Sequence, residues 1–528
     1  MDQTACAGNT GRVHGRAGTR DAEAGGHACP EAARKWVLIA AILASAVAFI
    51  DGSVVAVAIP AIRAGIGADF GQAQWIMNGY VLLLAALILP GGALGDRLGQ
   101  RDVFAVGIAA FTATSVWCGL AQSPEGLIAA RLAKGAAGAL MVPGSLALIA
   151  RNYPKAERGR AIGLWSAAAG LTTAAGPLVG GAVLAAGGET AWRWVFLLNV
   201  PVGVVALGLV LLRVPRDPGR RGQGIDWQGG VIAAAALGLV AYGLTRWSQG
   251  QGDALAIGAG LGGLGGLAGF VLYERRRDDP MMPPELFASR VFSGANLLTL
   301  LLYLGLGGIL FYLPTTLIEA RGLSEALVGA VFVPMTLIMA SMARPVGGYV
   351  DRHGPRLPLT IGPIIAGAAF LALAFAVPSG GYWTGVLPSM ALLGLGMGLS
   401  APPLSTAVMA AAPESRAGAA SGVNNAVSRV SQLLAVAGLG VLAGLAYRAA
   451  IPADLPSLDG VGFGERGEGL TEAADAARRA AIGAGFRLIG LAAAGLALLA
   501  ALAGWLTQEG EPMGAETDDA GSIETQHA

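Results

Sequence analysis

Apolar stretches of helix length alternate with short polar breaks along almost the whole chain. Fourteen are long enough to cross a bilayer, near 36–59, 74–95, 103–121, 126–149, 161–186, 193–213, 227–247, 254–273, 292–316, 326–344, 359–377, 384–409, 419–447 and 485–506. Runs of this length predict helices, since the strands of a membrane barrel need only about 9–11 residues. The predicted fold class is an all-α polytopic membrane protein. The first run, from Trp36 to Ile59, contains 24 residues and one formal charge, Asp51 in FIDGSVVAVAIP. A carboxylate near the middle of a span costs about 2.5–3.5 kcal/mol on insertion scales, so it usually faces a polar interior and carries function.

Composition supports this class. The chain is 54% hydrophobic and 13% charged, where soluble domains carry about 25% charged residues. A formal net charge of +1 gives no reason to expect nucleic acid as a partner. Cys6, Cys29 and Cys118 offer neither a disulfide framework nor a zinc spacing, so no metal is expected. The four histidines (His14, His27, His353 and His527) all lie outside the apolar runs, which argues against enzyme chemistry. With the N-terminus inside, 23 of the 35 lysines and arginines fall in cytoplasmic segments and 8 on the other side. That asymmetry predicts two cytoplasmic termini in the inner (cell) membrane.

The ends of the second and tenth runs share a repeat. GALGDRLGQR (Gly92 to Arg101) and GGYVDRHGPR (Gly347 to Arg356) both read G-x3-D-R-x-G-x-R, 255 residues apart. Two related six-helix halves explain such a repeat, and the surplus length matches an inserted helix pair. The expected organisation is a disordered tail over 1–35, a first bundle over 36–213 and two extra helices with linkers over 214–291. A second bundle follows over 292–506, with a long external loop at 448–484, and then an acidic tail over 507–528.

Several motifs resemble the major facilitator superfamily, and within it the 14-helix drug:proton antiporters of the EmrB/QacA type. IDGSVVAVAIP resembles the helix-one motif of that subfamily through Asp51 and Pro60, with Ser53 and Ala56 where Thr and Asn are usual. Gly92, Asp96, Arg97, Gly99 and Arg101 match the loop motif that follows helix two, and Arg131 with Gly135 the helix-four motif. LWSAAAGLTTAAGPLVGG resembles the antiporter motif of helix five through Gly163, Gly176, Pro177, Gly180 and Gly181, with Thr172 at a usual glycine. WRWVFLLNVPVG looks like the subfamily's helix-six opening. The resemblance implies a major facilitator fold. It also implies proton-coupled antiport, with the loop motif as a conformational latch that favours the outward-open state.

The same residues have physical readings of their own. Gly99 and Gly354 permit tight turns. Asp96 and Asp351, each followed by an arginine (Arg97, Arg352), can accept from helix N-termini or from arginines across the interface between halves. The plainer alternative, a basic loop that only sets topology, accounts for Arg101 and Arg356 but not for the paired aspartates. The helix-five glycines and Pro177 allow close approach and bending, whether for packing alone or for a seal. In GAGLGGLGG, Gly258, Gly262 and Gly266 read as a helix-packing face rather than a nucleotide loop. No Walker sequence occurs, so no nucleotide cofactor is expected, and the energy source would be the proton gradient.

Depth brings three charges together. Asp51 lies nine residues before Pro60, about 13 Å below the outer surface. Arg131 and Lys134 share a face of helix four, about 8 Å and 12 Å deep. Lys134 stands where the family usually has glutamine. A carboxylate contested by cations is the material of a proton switch. A static buried pair is the alternative, but the position 255 residues on is Leu306, so the second half has no matching acid. In helix thirteen, Asn424, Ser428 and Gln432 form a polar stripe bordered by Arg429, which either lines a cavity or snorkels. The expected function is proton-coupled export of small, largely hydrophobic organic compounds. The alternative is a dedicated exporter of one metabolite or organic anion. Expected partners are those substrates, protons and the lipid bilayer; a periplasmic adaptor is a conceivable partner that no segment spells out.

Overall fold

A computed structural model describes residues 31–510, apart from 218, 220–224, 278–279, 414–415, 459 and 466–468. The disorder expected of the N-terminal tail and of the acidic tail therefore falls almost wholly outside the described residues. Fourteen long helices run through the described residues, thirteen of them long and apolar enough to cross a membrane and the fifth with a shorter apolar part, Leu171–Gly187. They are α1 (Glu31–Ile66), α2 (Phe70–Leu98), α3 (Gln100–Leu120), α4 (Pro124–Asn152), α5 (Lys155–Gly187), α6 (Trp192–Arg213) and α7 (Trp227–Ser248). The others are α8 (Ala254–Glu274), α9 (Arg290–Glu319), α10 (Glu325–His353), α11 (Arg356–Ser379), α12 (Tyr382–Ala410), α13 (Ala417–Ala450) and α14 (Glu472–Thr507).

The starts of these helices are written in their capping residues. Asp69 and Gln72 form a reciprocal capping box at α2, and Ser123 before Pro124 opens α4. Ser289 caps α9 and Thr471 caps α14. Asp253 caps α8 and also binds Arg246 at 2.7 Å, closing the α7–α8 hairpin; that guanidinium holds the Asp253 carboxyl well below the usual carboxylate range. Gly99 and Gly354 have φ of +103° and +76°, so the two repeat loops do turn through backbone that favours glycine.

Helices α1 to α6 pack into one bundle and α9 to α14 into a second. The pair α7–α8 lies outside both, with α7 resting on α2 of the first bundle and α13 of the second. It thus spans the seam between them. The pair's own contact corrects the glycine face read from sequence. Gly258 and Gly262 face open space, whereas Gly266 does meet α7, a methyl there sitting 2.9 Å from Ala236 Cβ, and one on Gly263 would sit 2.7 Å from the Ala236 carbonyl. Spacing alone showed that a face existed, but not which neighbouring stripe met the partner.

The start of α1 and the end of α14 lie at the same end of the molecule, here called the basic end, which also carries Gly99 and Gly354. At the opposite, distal end the bundles are bound together. Gln74 Nε2 of α2 donates to Tyr312 Oη of α9 at 2.9 Å and to the Val436 carbonyl of α13 at 3.2 Å. Arg63 of α1 donates to the Gly464 carbonyl at 2.6 Å and pairs with Glu465 at 3.2 Å. No hydrogen bond or ion pair joins the two bundles at the basic end among the described residues. The polar ties between the bundles are thus at the distal end among the described residues, while α2 and α13 still pack nearer the basic end, where Gly422 lies against Leu89.

Candidate functional site

Asp51 is completely buried in α1. Lys134 Nζ donates to its Oδ1 and Arg131 Nη1 to its Oδ2, both from α4 and both also fully buried. The structure thus brings together the three residues that the depth argument grouped. A fourth member, Asn199, was not foreseen: its Nδ2 donates to Asp51 Oδ1 at 3.0 Å. Asn199 begins the second segment of α6 after a break at Leu198. Pro201 has no N–H to offer the Leu197 carbonyl, which interrupts the ladder at that point. The sequence signal was present as a lone amide inside the apolar WRWVFLLNVPVG.

The cluster carries two cations and one anion, and aromatic rings surround the surplus charge. Arg131 lies 4.4 Å from the Tyr80 ring centre, while Lys134 lies 4.7 Å from Phe111 and 5.3 Å from Phe196. Such contacts are worth about 2 kcal/mol or more when desolvated. Arg131 Nε also donates to the Ile76 carbonyl at 2.9 Å, which fixes the guanidinium against α2. Gly135 makes this approach possible, because any side chain there would strike the Tyr80 backbone. Arg131 Nη2 and both amide atoms of Asn78 are buried without a hydrogen-bond partner.

The loop motif is built differently from the expected cross-interface contact. Asp96 accepts from Arg151 Nη2 of α4 at 2.6 Å and from Gln100 at 3.0 Å, both within the first bundle. Arg151 reaches Asp217 at 2.6 Å, and Asp217 accepts the Gln100 and Arg101 backbone N–H groups at 2.9 and 3.0 Å. The helix N-terminus is thus capped by Asp217 of the α6–α7 linker, not by Asp96. Arg101 donates to the Leu211 and Val214 carbonyls, tying α3 to the end of α6. Gly92 packs toward Pro143, Arg97 is exposed, and Asp351 and Arg352 are exposed without a hydrogen bond among the described residues. Arg151 and Asp217 were missed because neither belongs to the repeated motif.

The helix-five motif lies at the distal closure. Gly176 and Gly180 face Ser53 and Val54 of α1. A methyl on Gly181 would sit 2.5 Å from the Glu325 carbonyl of α10, and one on Gly329 would sit 2.5 Å from the Pro177 carbonyl. Gly163, nearer the basic end, faces open space. In α13, Asn424 donates to Thr299 at 2.8 Å and to Asn296 at 3.2 Å, while Arg429 donates to Gln432 at 3.2 Å; Ser428 is half-buried. Arg429 is within electrostatic reach of Tyr80 and of Tyr303.

The sequence model of the Major Facilitator Superfamily matches residues 41–436. The chain belongs to that superfamily. It is 34% identical over 415 residues to a tetracenomycin C resistance and export protein of Streptomyces glaucescens, covering 78% of this chain and 76% of that protein. A cephamycin export protein of Amycolatopsis lactamdurans is 35% identical over 437 residues, covering 81% and 88%. Among solved structures, a bacterial homologue of the human lysosomal transporter Spinster superposes with a TM-score of 0.66 at 17% identity, covering 91% and 97%. A D-xylose–proton symporter gives a TM-score of 0.59 at 16% identity, covering 90% and 98%. These structures share the superfamily fold of two six-helix bundles, to which this multi-pass membrane protein adds α7 and α8.

Proposed function

We propose that the protein exports small organic compounds in exchange for protons, with Asp51 as the proton-binding group. The observation that carries this reading is the buried cluster of Asp51, Arg131, Lys134 and Asn199. A carboxylate held by two cations is stable while charged. Protonation removes the anion, leaves two adjacent cations facing each other and frees them to repack. The relatives named as resistance and export proteins support the direction of transport. The basic end is the cytoplasmic face, on the charge asymmetry of the loops. On this reading the distal closure belongs to an inward-facing state, in which substrate enters from the basic end.

In this scheme the α5–α10 contact around Gly181 and Gly329 is the outer gate. The Asp96–Arg151–Asp217 group holds the first bundle's cytoplasmic end rigid while the bundles rock. Arg429, across the seam from Tyr80, links the substrate cavity to the proton site through Tyr80 and Arg131. A dedicated exporter of one organic anion is the second reading, favoured by the surplus positive charge of Lys134. The test is substrate-induced proton flux in proteoliposomes across dyes, antibiotics and anions. Proton movement with several unrelated compounds supports a multidrug antiporter, and movement with one anion alone supports the second reading. Transport without proton movement overturns the coupling.

A further inference from the structure

The inserted pair α7–α8 carries a second buried acidic site that plays no part in the proton scheme above. Asp226, the N-cap of α7, is 5% exposed, and Glu274, the last residue of α8, is 1% exposed. Their carboxylates flank the same glycine, Gly229. Each has one oxygen fully engaged: Asp226 Oδ1 accepts the Gly229 N–H at 2.9 Å and Tyr273 Oη at 3.0 Å, and Glu274 Oε2 accepts the Met282 N–H at 2.9 Å. The other oxygens, Asp226 Oδ2 and Glu274 Oε1, are buried with no partner. Both converge on one point, since a methyl on Gly229 would sit 2.5 Å from the first and 2.9 Å from the second.

Two carboxylate oxygens in this position repel unless something positive lies between them. Among the described residues the surroundings supply little. Arg277 stands 4.0 Å from the far side of Asp226 and also contacts Tyr273, whose hydroxyl lies 3.0 Å from Gln228 Oε1. The facing part of α2 is Ala86, Leu87 and Pro90, and Phe270, Met281 and Met282 cover the site with apolar groups. Burial raises the Asp226 carboxyl, but the Gly229 N–H, Glu274, Tyr273 and Arg277 outweigh it and hold the group below its usual range. That environment suits an ionised Asp226 accepting a hydrogen bond from Glu274.

We propose that Asp226 and Glu274 share one proton, forming a proton-dependent clasp between α7, α8 and the linker at Met282 that leads into the second bundle. The proton sits on Glu274 Oε1 and bridges to Asp226 Oδ2. Its loss leaves two facing negative charges and releases the linker from Glu274. The clasp gives the transporter a pH-responsive element at the basic end that is separate from Asp51.

Infrared spectroscopy of the full-length protein in lipid tests this directly. Wild type should show a buried protonated-carboxyl C=O band that disappears on alkalinisation. The band should persist in Asp51→Asn and vanish in Glu274→Gln. It should vanish in Asp226→Asn as well, where the amide donates to Glu274 in place of the proton. Thermal stability should fall with rising pH in wild type and fall less in Glu274→Gln, because the stabilising proton is present in acid and lost toward alkali. A wild-type protein without the band, a band unchanged by both clasp variants, or parallel stability curves would overturn the proposal. Loss of the band in Asp51→Asn alone would assign it to the other site.

Discussion

At the scale of the residue, Asp51 is set by its three donors, and each donor has a different consequence. Lys134 adds a second cation to the site, so a doubly charged cationic substrate near it meets repulsion of about 4 kcal/mol per unit pair at 4 Å and an effective dielectric of 20. Lys134→Gln should therefore widen export toward dications, and a transport profile with matched mono- and dicationic compounds would show it. Equal export of both by wild type would remove the charge argument. Asn199 contributes one hydrogen bond to a charged group, worth about 1.5–3 kcal/mol. Asn199→Leu makes the charged carboxylate less well held, so the pH profile of efflux should move upward by about one to two units. An unchanged profile would show that Asn199 only packs.

At the scale of the element, the proposed gate (α5 and α10) and clamp (α2, α4 and the α6–α7 linker) sit on different segments, and this is where sequence and structure part company most instructively. Hydropathy located every pass, because an apolar run of bilayer length has little choice but to be a helix. It mislaid ends wherever charges were paired. The sequence reading puts a loop over 448–484, yet α14 begins at Glu472, since Arg478 is satisfied by Asp475 at 3.0 Å and the Glu465 carbonyl at 2.7 Å. Apolar counting stops at such residues, but the backbone continues. The clamp was half legible: Asp96 could be read from its repeat, whereas Arg151 and Asp217 meet it only through the fold. Arg151→Gln should reproduce Asp96→Asn, slowing conformational exchange several-fold while substrate affinity holds. A collapse of affinity with unchanged exchange would contradict the clamp. For the gate, Gly181→Leu wedges α5 from α10, and a Val328→Cys reporter, buried in wild type, should gain reactivity toward thiol reagents. Unaltered reactivity would show that this contact does not seal the distal end.

At the scale of the whole molecule, the two bundles share a fold but divide the work unequally. The first holds the buried acid and its cations, while the second contributes polar groups on α13 and no acid at the position equivalent to Asp51, which is Leu306. Distal contacts hold the halves together, and α7 bridges the seam. The central claim is that Asp51 couples this rocking to proton movement, and gradient-driven efflux by the Asp51→Asn protein in proteoliposomes tests it most directly. Breaking a buried pair costs about 3–5 kcal/mol, so monodisperse yield must be measured alongside. The prediction is a folded, inserted protein that still binds substrate but moves none uphill under a pH gradient. Full gradient-driven efflux by that variant would contradict the account.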